Sequence, residues 1–113
     1  MFQVPTVVLV LTTVPDGELG NQIATTLVDE RLAACVNVLA PMTSTYRWRG
    51  AIERETERQL VIKTTSGRVA AVRARIGQLH PYELPEFLVV SVADGLAEYL
   101  AWVEAETHTD PTA

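Results

Sequence analysis

His80 and Cys35 are the side chains here best suited to soft-metal or nucleophilic chemistry, and Glu53, Glu55 and Glu57 form the set best suited to a hard cation. His80 opens the heptapeptide His80-Pro81-Tyr82-Glu83-Leu84-Pro85-Glu86. Each proline fixes its own φ near about −65° and pushes the preceding residue, His80 or Leu84, out of the helical region, so the imidazole projects from a stiffened, extended backbone. A divalent site wants about four donors, and no partner stands at ligand spacing beside His80. The competing reading has both ring nitrogens hydrogen-bonded to backbone at a subunit contact. Cys35 lies between Ala34 and Val36, where a small buried hydrophobe competes with a ligand or nucleophile. The glutamates at 53, 55 and 57 alternate onto one strand face, as oxygen ligands or as an ordinary salt-bridged or solvated row. The candidate metal ligands are therefore His80, Cys35 and Glu57. Glu83 and Glu86 serve as an acid-base pair only if both face one cleft, and His108 sits in a polar tail without a role.

Other chemistries have no carrier. There is no glycine-rich phosphate loop, GxSxG elbow, HExxH or paired CxxC, so a non-enzymatic protein that requires no cofactor is expected. Fourteen acidic and nine basic residues give a formal charge of −5, with Lys63 the single lysine. That balance disfavours nucleic acid and anionic membrane as partners. A single cysteine permits no intramolecular disulfide, and the first ten residues lack a signal-peptide pattern, which makes the cytoplasm the expected compartment. The longest apolar run, Val7 to Leu11, is too short to span a bilayer.

These groups must be positioned by a single domain over residues 1–113, since 113 residues with 48% apolar and 20% charged suit one globular core. Thr6 to Thr12 reads as a strand covered on both faces, ending at Val14-Pro15-Asp16-Gly17. Asp16 is expected to cap a helix whose stripe is Leu19, Ile23, Ala24, Leu27 and Val28, running to about Leu32. Cys35 to Trp48 and Ala51 to Thr65 read as two long strands joined at Arg49-Gly50, the first interrupted at Pro41 by an edge position or bulge. Ser66 is expected to cap a second helix with Val69, Val72, Ile76 and Leu79 inward. Phe87 to Val92 forms a fourth strand, Asp94 caps a last helix carrying Leu96, Tyr99, Leu100 and Val103, and residues 107–113 form a frayed tail. The order β-α-β-β-α-β-α is that of an α+β, ferredoxin-like split βαβ unit with one added helix. Both crossover helices then share one sheet face, and the other face needs cover.

The hairpin outgrows this unit. A strand from Cys35 to Trp48 would reach roughly 45 Å, against a radius of gyration of about 13 Å for a compact chain of this size. With a two-residue loop, Trp48 pairs with Ala51, Tyr46 with Glu53, Ser44 with Glu55 and Met42 with Glu57. Aromatics and carboxylates then share one face, with Arg47, Arg49, Arg54 and Arg58 on the other. The two faces suit a heterologous contact that closes into a ring, or else are ordinary solvated charges.

Three motifs, Leu32-Ala33-Ala34-Cys35-Val36-Asn37, Tyr46-Arg47-Trp48-Arg49-Gly50 and the heptapeptide from His80, together resemble the CutA divalent-cation tolerance family. Val14-Pro15-Asp16, Ile62-Lys63-Thr64 and Tyr99-Leu100-Ala101-Trp102 fit the same pattern in the same order. The resemblance implies a ferredoxin-like subunit in a tight homotrimer, associated with tolerance of copper or another divalent cation, and no reaction. Family members proposed to hold copper place a cysteine where Thr12 stands and a histidine pair where Leu79 and His80 stand, so this chain keeps one of three. The resemblance also implies a fold relative in the PII-type signalling proteins. Hence the alternative is a sensor that binds an anionic ligand between subunits through Arg47, Arg49, Lys63 and Arg68. A further alternative is a trimeric scaffold for a protein partner.

Overall fold

In the computed structural model, residues 6–108 are described. A five-stranded antiparallel sheet is built around β1, Val7–Pro15, which pairs on one side with β4, Ala51–Thr65, and on the other with β5, Leu88–Ser91. Along the far edge of β4 lie β2, Cys35–Val38, and then β3, Met42–Trp48, so the order is β2-β4-β1-β5 with β3 continuing the β2 edge. The helices are α1, Leu19–Asp29, α2, Val69–Leu79, entered through a 3₁₀ turn at Ser66–Arg68, and α3, Ala97–Glu106.

The side-chain period of two along β1 puts Val10 and Val14 into the main core, with Ile23 and Leu27 of α1, Leu60 and Ile62 of β4, and Val72 and Ile76 of α2. A smaller cluster of Val7, Ala34 and Val103, flanked by Val92 and Leu100, seats α3. At Gly20 the first turn of α1 comes so close to the sheet that a Cβ would lie 3.2 Å from Val38 and 3.3 Å from Val14. The expectation of a β1 covered on both faces is half right: Val8, Val10, Thr12 and Val14 are buried, whereas Leu9, Leu11 and Thr13 are half-exposed.

The expected caps at Asp16, Ser66 and Asp94 are corrected. Each helix starts two residues later than such a cap requires, with Glu18, Arg68 and Leu96 at the N-cap positions, and none has a side-chain cap bond. The three side chains tighten their loops instead. Asp16 Oδ1 accepts from the Gly17 amide and from Arg58 Nε, Asp94 Oδ1 accepts from the Gly95 amide, and Ser66 Oγ accepts from the Thr6 amide. Helix α1 ends at Asp29, short of Leu32, because Arg31 turns left-handed at φ 59° and the Leu32 and Ala33 amides fold back onto the Leu27 carbonyl. Thr107, expected to fray, is buried and donates its hydroxyl to the Val103 carbonyl at 2.9 Å. His108 is exposed, its amide donating to the Ala105 carbonyl at 3.3 Å, and 109–113 lie outside the described residues.

The hairpin follows the register expected from a two-residue loop, Trp48↔Ala51 through Met42↔Glu57, with Arg49 and Gly50 both at positive φ. Pro41 marks a one-residue bulge: Val38 pairs with Leu60 but Met42 with Glu57, so Leu39, Ala40 and Pro41 face only Arg58 and Gln59. Because β1 pairs with β4 only as far as Glu57, the first six residues of β4, Ala51 to Thr56, pair with β3 alone, a ribbon roughly 20 Å long. The molecule is accordingly elongated, at 50 × 26 × 24 Å.

Candidate functional site

The bulge decides what the ribbon presents. One extra residue before Met42 inverts the strand's facing, so Met42, Ser44, Tyr46 and Trp48 share a face with Glu53, Glu55 and Glu57. The heptapeptide from His80 leaves α2, passes the end of β1 and runs along this face, closing a cleft of about 960 Å³. Its walls are Met42, Tyr46, Trp48, Glu55, Glu57 and Gln59 from the ribbon, with Pro81, Tyr82, Glu83, Leu84, Pro85 and Glu86 opposite.

His80 is a strut of that wall. Its Nδ1 accepts from the Tyr82 amide at 3.1 Å, so Nε2 carries the ring proton and donates it to the Thr13 carbonyl at 2.6 Å. Both nitrogens are thereby engaged with backbone, and the imidazole is buried and lies tilted at 55° to the Tyr82 ring, 4.5 Å between centres. Tyr82 in turn donates its hydroxyl to Glu57 Oε2 at 2.8 Å. Gln59 Nε2 bridges the wall to the sheet, donating to the Thr12 carbonyl at 2.7 Å and to Glu86 Oε2 at 2.8 Å. At the ribbon tip Arg49 stacks 5.2 Å from the Trp48 ring centre and donates to Glu83 Oε2 at 2.9 Å. Arg49 was expected on the opposite face with Arg47, Arg54 and Arg58. The left-handed turn residue swings it onto the acidic side, where Glu83 holds it.

The cleft has a negative field. Tyr46 is pushed above the ordinary tyrosine range by burial and then by the Glu55, Glu53 and Glu57 carboxylates. Tyr82 is pushed up further, by burial, by its hydrogen bond to Glu57 and by the Glu57 and Glu55 charges. Glu83 and Glu86 do face one cleft, but Arg49 holds the first and Gln59 the second, so these two are not a free acid-base pair.

The candidate metal ligands do not make one donor set. Cys35 pairs with Lys63 in the sheet, six residues along β4 from Glu57, or roughly 20 Å. Among the described residues no three His, Cys, Asp or Glu side chains converge. His80, Cys35 and Glu57 within one chain therefore do not fit a copper or other divalent centre, and no step is derived through one. The cations considered for an anionic ligand are dispersed as well. Arg47 pairs with Ile52, eleven residues from Lys63 and roughly 36 Å along β4, while Lys63 lies 5.9 Å from the Tyr99 ring centre and Arg68 follows the strand's far end. Gln59, the hinge of the cleft wall, carries no signal in the sequence; its role follows from tertiary placement alone.

The described residues thus form an antiparallel α+β domain of five strands and three helices, with an overhanging ribbon and an acidic, aromatic cleft along it. Residues 8–106 match the family model described as CutA1 divalent ion tolerance protein. A divalent-cation tolerance protein CutA from Thermus thermophilus is 43% identical over 99 residues, covering 88% of this chain and 96% of its own length. The crystal structure of CutA from Xylella fastidiosa superposes with a TM-score of 0.88 at 48% identity, over 91% of this chain and 99% of that one. A protein from Archaeoglobus fulgidus, described as a periplasmic divalent cation tolerance protein CutA, superposes with a TM-score of 0.87 at 33% identity, over 90% and 99%. The chain belongs to the CutA1 divalent ion tolerance family. Among its described residues no helix is long and apolar enough to cross a membrane.

Proposed function

We propose that the protein is a non-enzymatic, cytoplasmic homotrimer that serves tolerance of copper or another divalent cation, and that any metal is held weakly by donors from more than one subunit. The observation that carries the assembly is its uncovered apolar surface. Leu88 is 54% exposed, Val90 43%, Leu96 69% and Trp102 42%, on β5 and around α3. So many large apolar side chains facing water mark a contact surface. The sheet order and the packing of α1 and α2 on one core support the ferredoxin-like reading of the subunit. Arg47 and Arg54 on one ribbon face and the carboxylates on the other support a head-to-tail contact that closes into a ring. The relatives' names support the role in cation tolerance.

Sedimentation velocity at micromolar protomer tests the assembly: a single trimeric species is expected, and a clean monomer overturns it. Copper and zinc titrations of the wild type beside His80→Ala, Cys35→Ala and Glu57→Gln test the metal. Unchanged affinity in all three variants removes these residues from any metal role.

A further inference from the structure

We propose that the cleft between the ribbon and the 80–86 wall binds an organic cation, a primary ammonium or guanidinium group on an apolar body, with Glu57 as its charge partner. The site is built around one buried charge. Glu57 is 6% exposed, and among the described residues its one side-chain hydrogen bond is that which Oε2 accepts from Tyr82, with no cation paired to it. A buried carboxylate calls for more partners than one hydroxyl, and the open side of this one faces the cleft. Its neighbour Glu55 also lines the cleft and is in no ion pair with a described residue, whereas Glu83 and Glu86 are already engaged with Arg49 and Gln59. Among the described residues Arg47 is the one cation along the lining, and it forms no ion pair with these carboxylates.

The ligand's size and apolar character follow from the remaining walls. A volume of about 960 Å³ is far larger than a bare metal ion fills, and the carboxylates do not converge on one point. Tyr46, Trp48 and Tyr82 supply ring faces that attract a cation, and Met42 and Leu84 supply apolar contact for its stem. The Tyr82 hydroxyl, by donating to Oε2, leaves Oε1 of Glu57 to accept from an ammonium or guanidinium N–H. The same chemistry has two sources: a free small molecule, or an arginine of a second copy's ribbon.

Isothermal titration with agmatine as probe, at low salt, separates them. For a free ligand, wild type binds agmatine, glutarate does not bind, and Glu57→Gln weakens agmatine at least tenfold while circular dichroism and sedimentation stay unchanged, since glutamine still accepts the Tyr82 bond. For a second copy's arginine, wild type binds no agmatine, but the Arg47→Ala/Arg54→Ala variant does, again dependent on Glu57. Absence of binding in both proteins, or binding indifferent to Glu57→Gln, overturns the proposal. Sedimentation in the same samples reports the trimer separately, so failure of the cleft and failure of the assembly are told apart.

Discussion

Two threonines on the helix-facing side of the sheet predict opposite responses to the same substitution. Thr12 and Thr64 are both fully buried, and valine replaces each with nearly the same shape. Thr64 Oγ1 donates to the Leu32 carbonyl at 2.7 Å, whereas Thr12 Oγ1 has no hydrogen-bond partner. A buried hydroxyl without a partner carries its full desolvation cost, about 1–3 kcal/mol, while a satisfied one contributes a net ~1 kcal/mol. Thr12→Val should therefore stabilise the protein by ~1 kcal/mol or more, and Thr64→Val should destabilise it by ~1–2 kcal/mol. Four residues along an edge-to-edge pairing separate them, roughly 13 Å, so the double variant should sum the two effects within about 0.5 kcal/mol. Guanidinium unfolding at fixed protomer concentration measures both, because an assembly makes the midpoint concentration-dependent. The midpoints should move in opposite directions with the slope unchanged. If Thr12→Val is neutral or destabilising, the orphaned-hydroxyl argument fails.

Further outcomes follow from other particulars. At Gly20 an alanine gains about 1 kcal/mol of helix propensity but presses on Val38, Val14 and Leu60 at 3.2–3.4 Å; overpacking of about 1–3 kcal/mol outweighs it, so thermal unfolding of Gly20→Ala should come several degrees earlier. Gly50 holds φ 83°, so Gly50→Ala should cost the ribbon ~1–2 kcal/mol, read as faster amide exchange confined to β3 and the outer half of β4. Tyr82 and Tyr46 have folded pKa values raised above the unfolded value of about 10, so the folded state binds more protons there. Their contribution is complete below that pH and is lost as pH rises through the folded values. Ultraviolet titration should show two tyrosines ionising late, and Glu57→Gln should bring Tyr82 down. His80→Ala removes two bonds to backbone, and loss of at least ~1 kcal/mol in guanidinium unfolding checks its role as a strut.

Much of the fold was legible because its signals are local. Alternation along β4, the helical stripes of α1 and α2 and the two-residue loop at Arg49-Gly50 each depend on neighbours a few positions away, and strand pairing then follows by parity. The capping residues misled for the same reason in reverse: Asp16, Ser66 and Asp94 have the right chemistry two residues too early, and their oxygens accept from loop amides and from Arg58. Two prolines were enough to show that the segment from His80 is stiff, but not what it leans on.

That the chain is an α+β domain of the CutA1 family, with an overhanging ribbon and carboxylates alternating on one face, was written in residue order. Where those groups meet was not. Contacts between Tyr82 and Glu57, Gln59 and Glu86, or His80 and the Thr13 carbonyl join positions 25, 27 and 67 residues apart. No local preference encodes such separations; they exist only once α2 and β5 have docked on the sheet. Tertiary structure alone turned the histidine that invited a metal into a strut between two backbone segments, and gathered the glutamates and aromatics around one cleft.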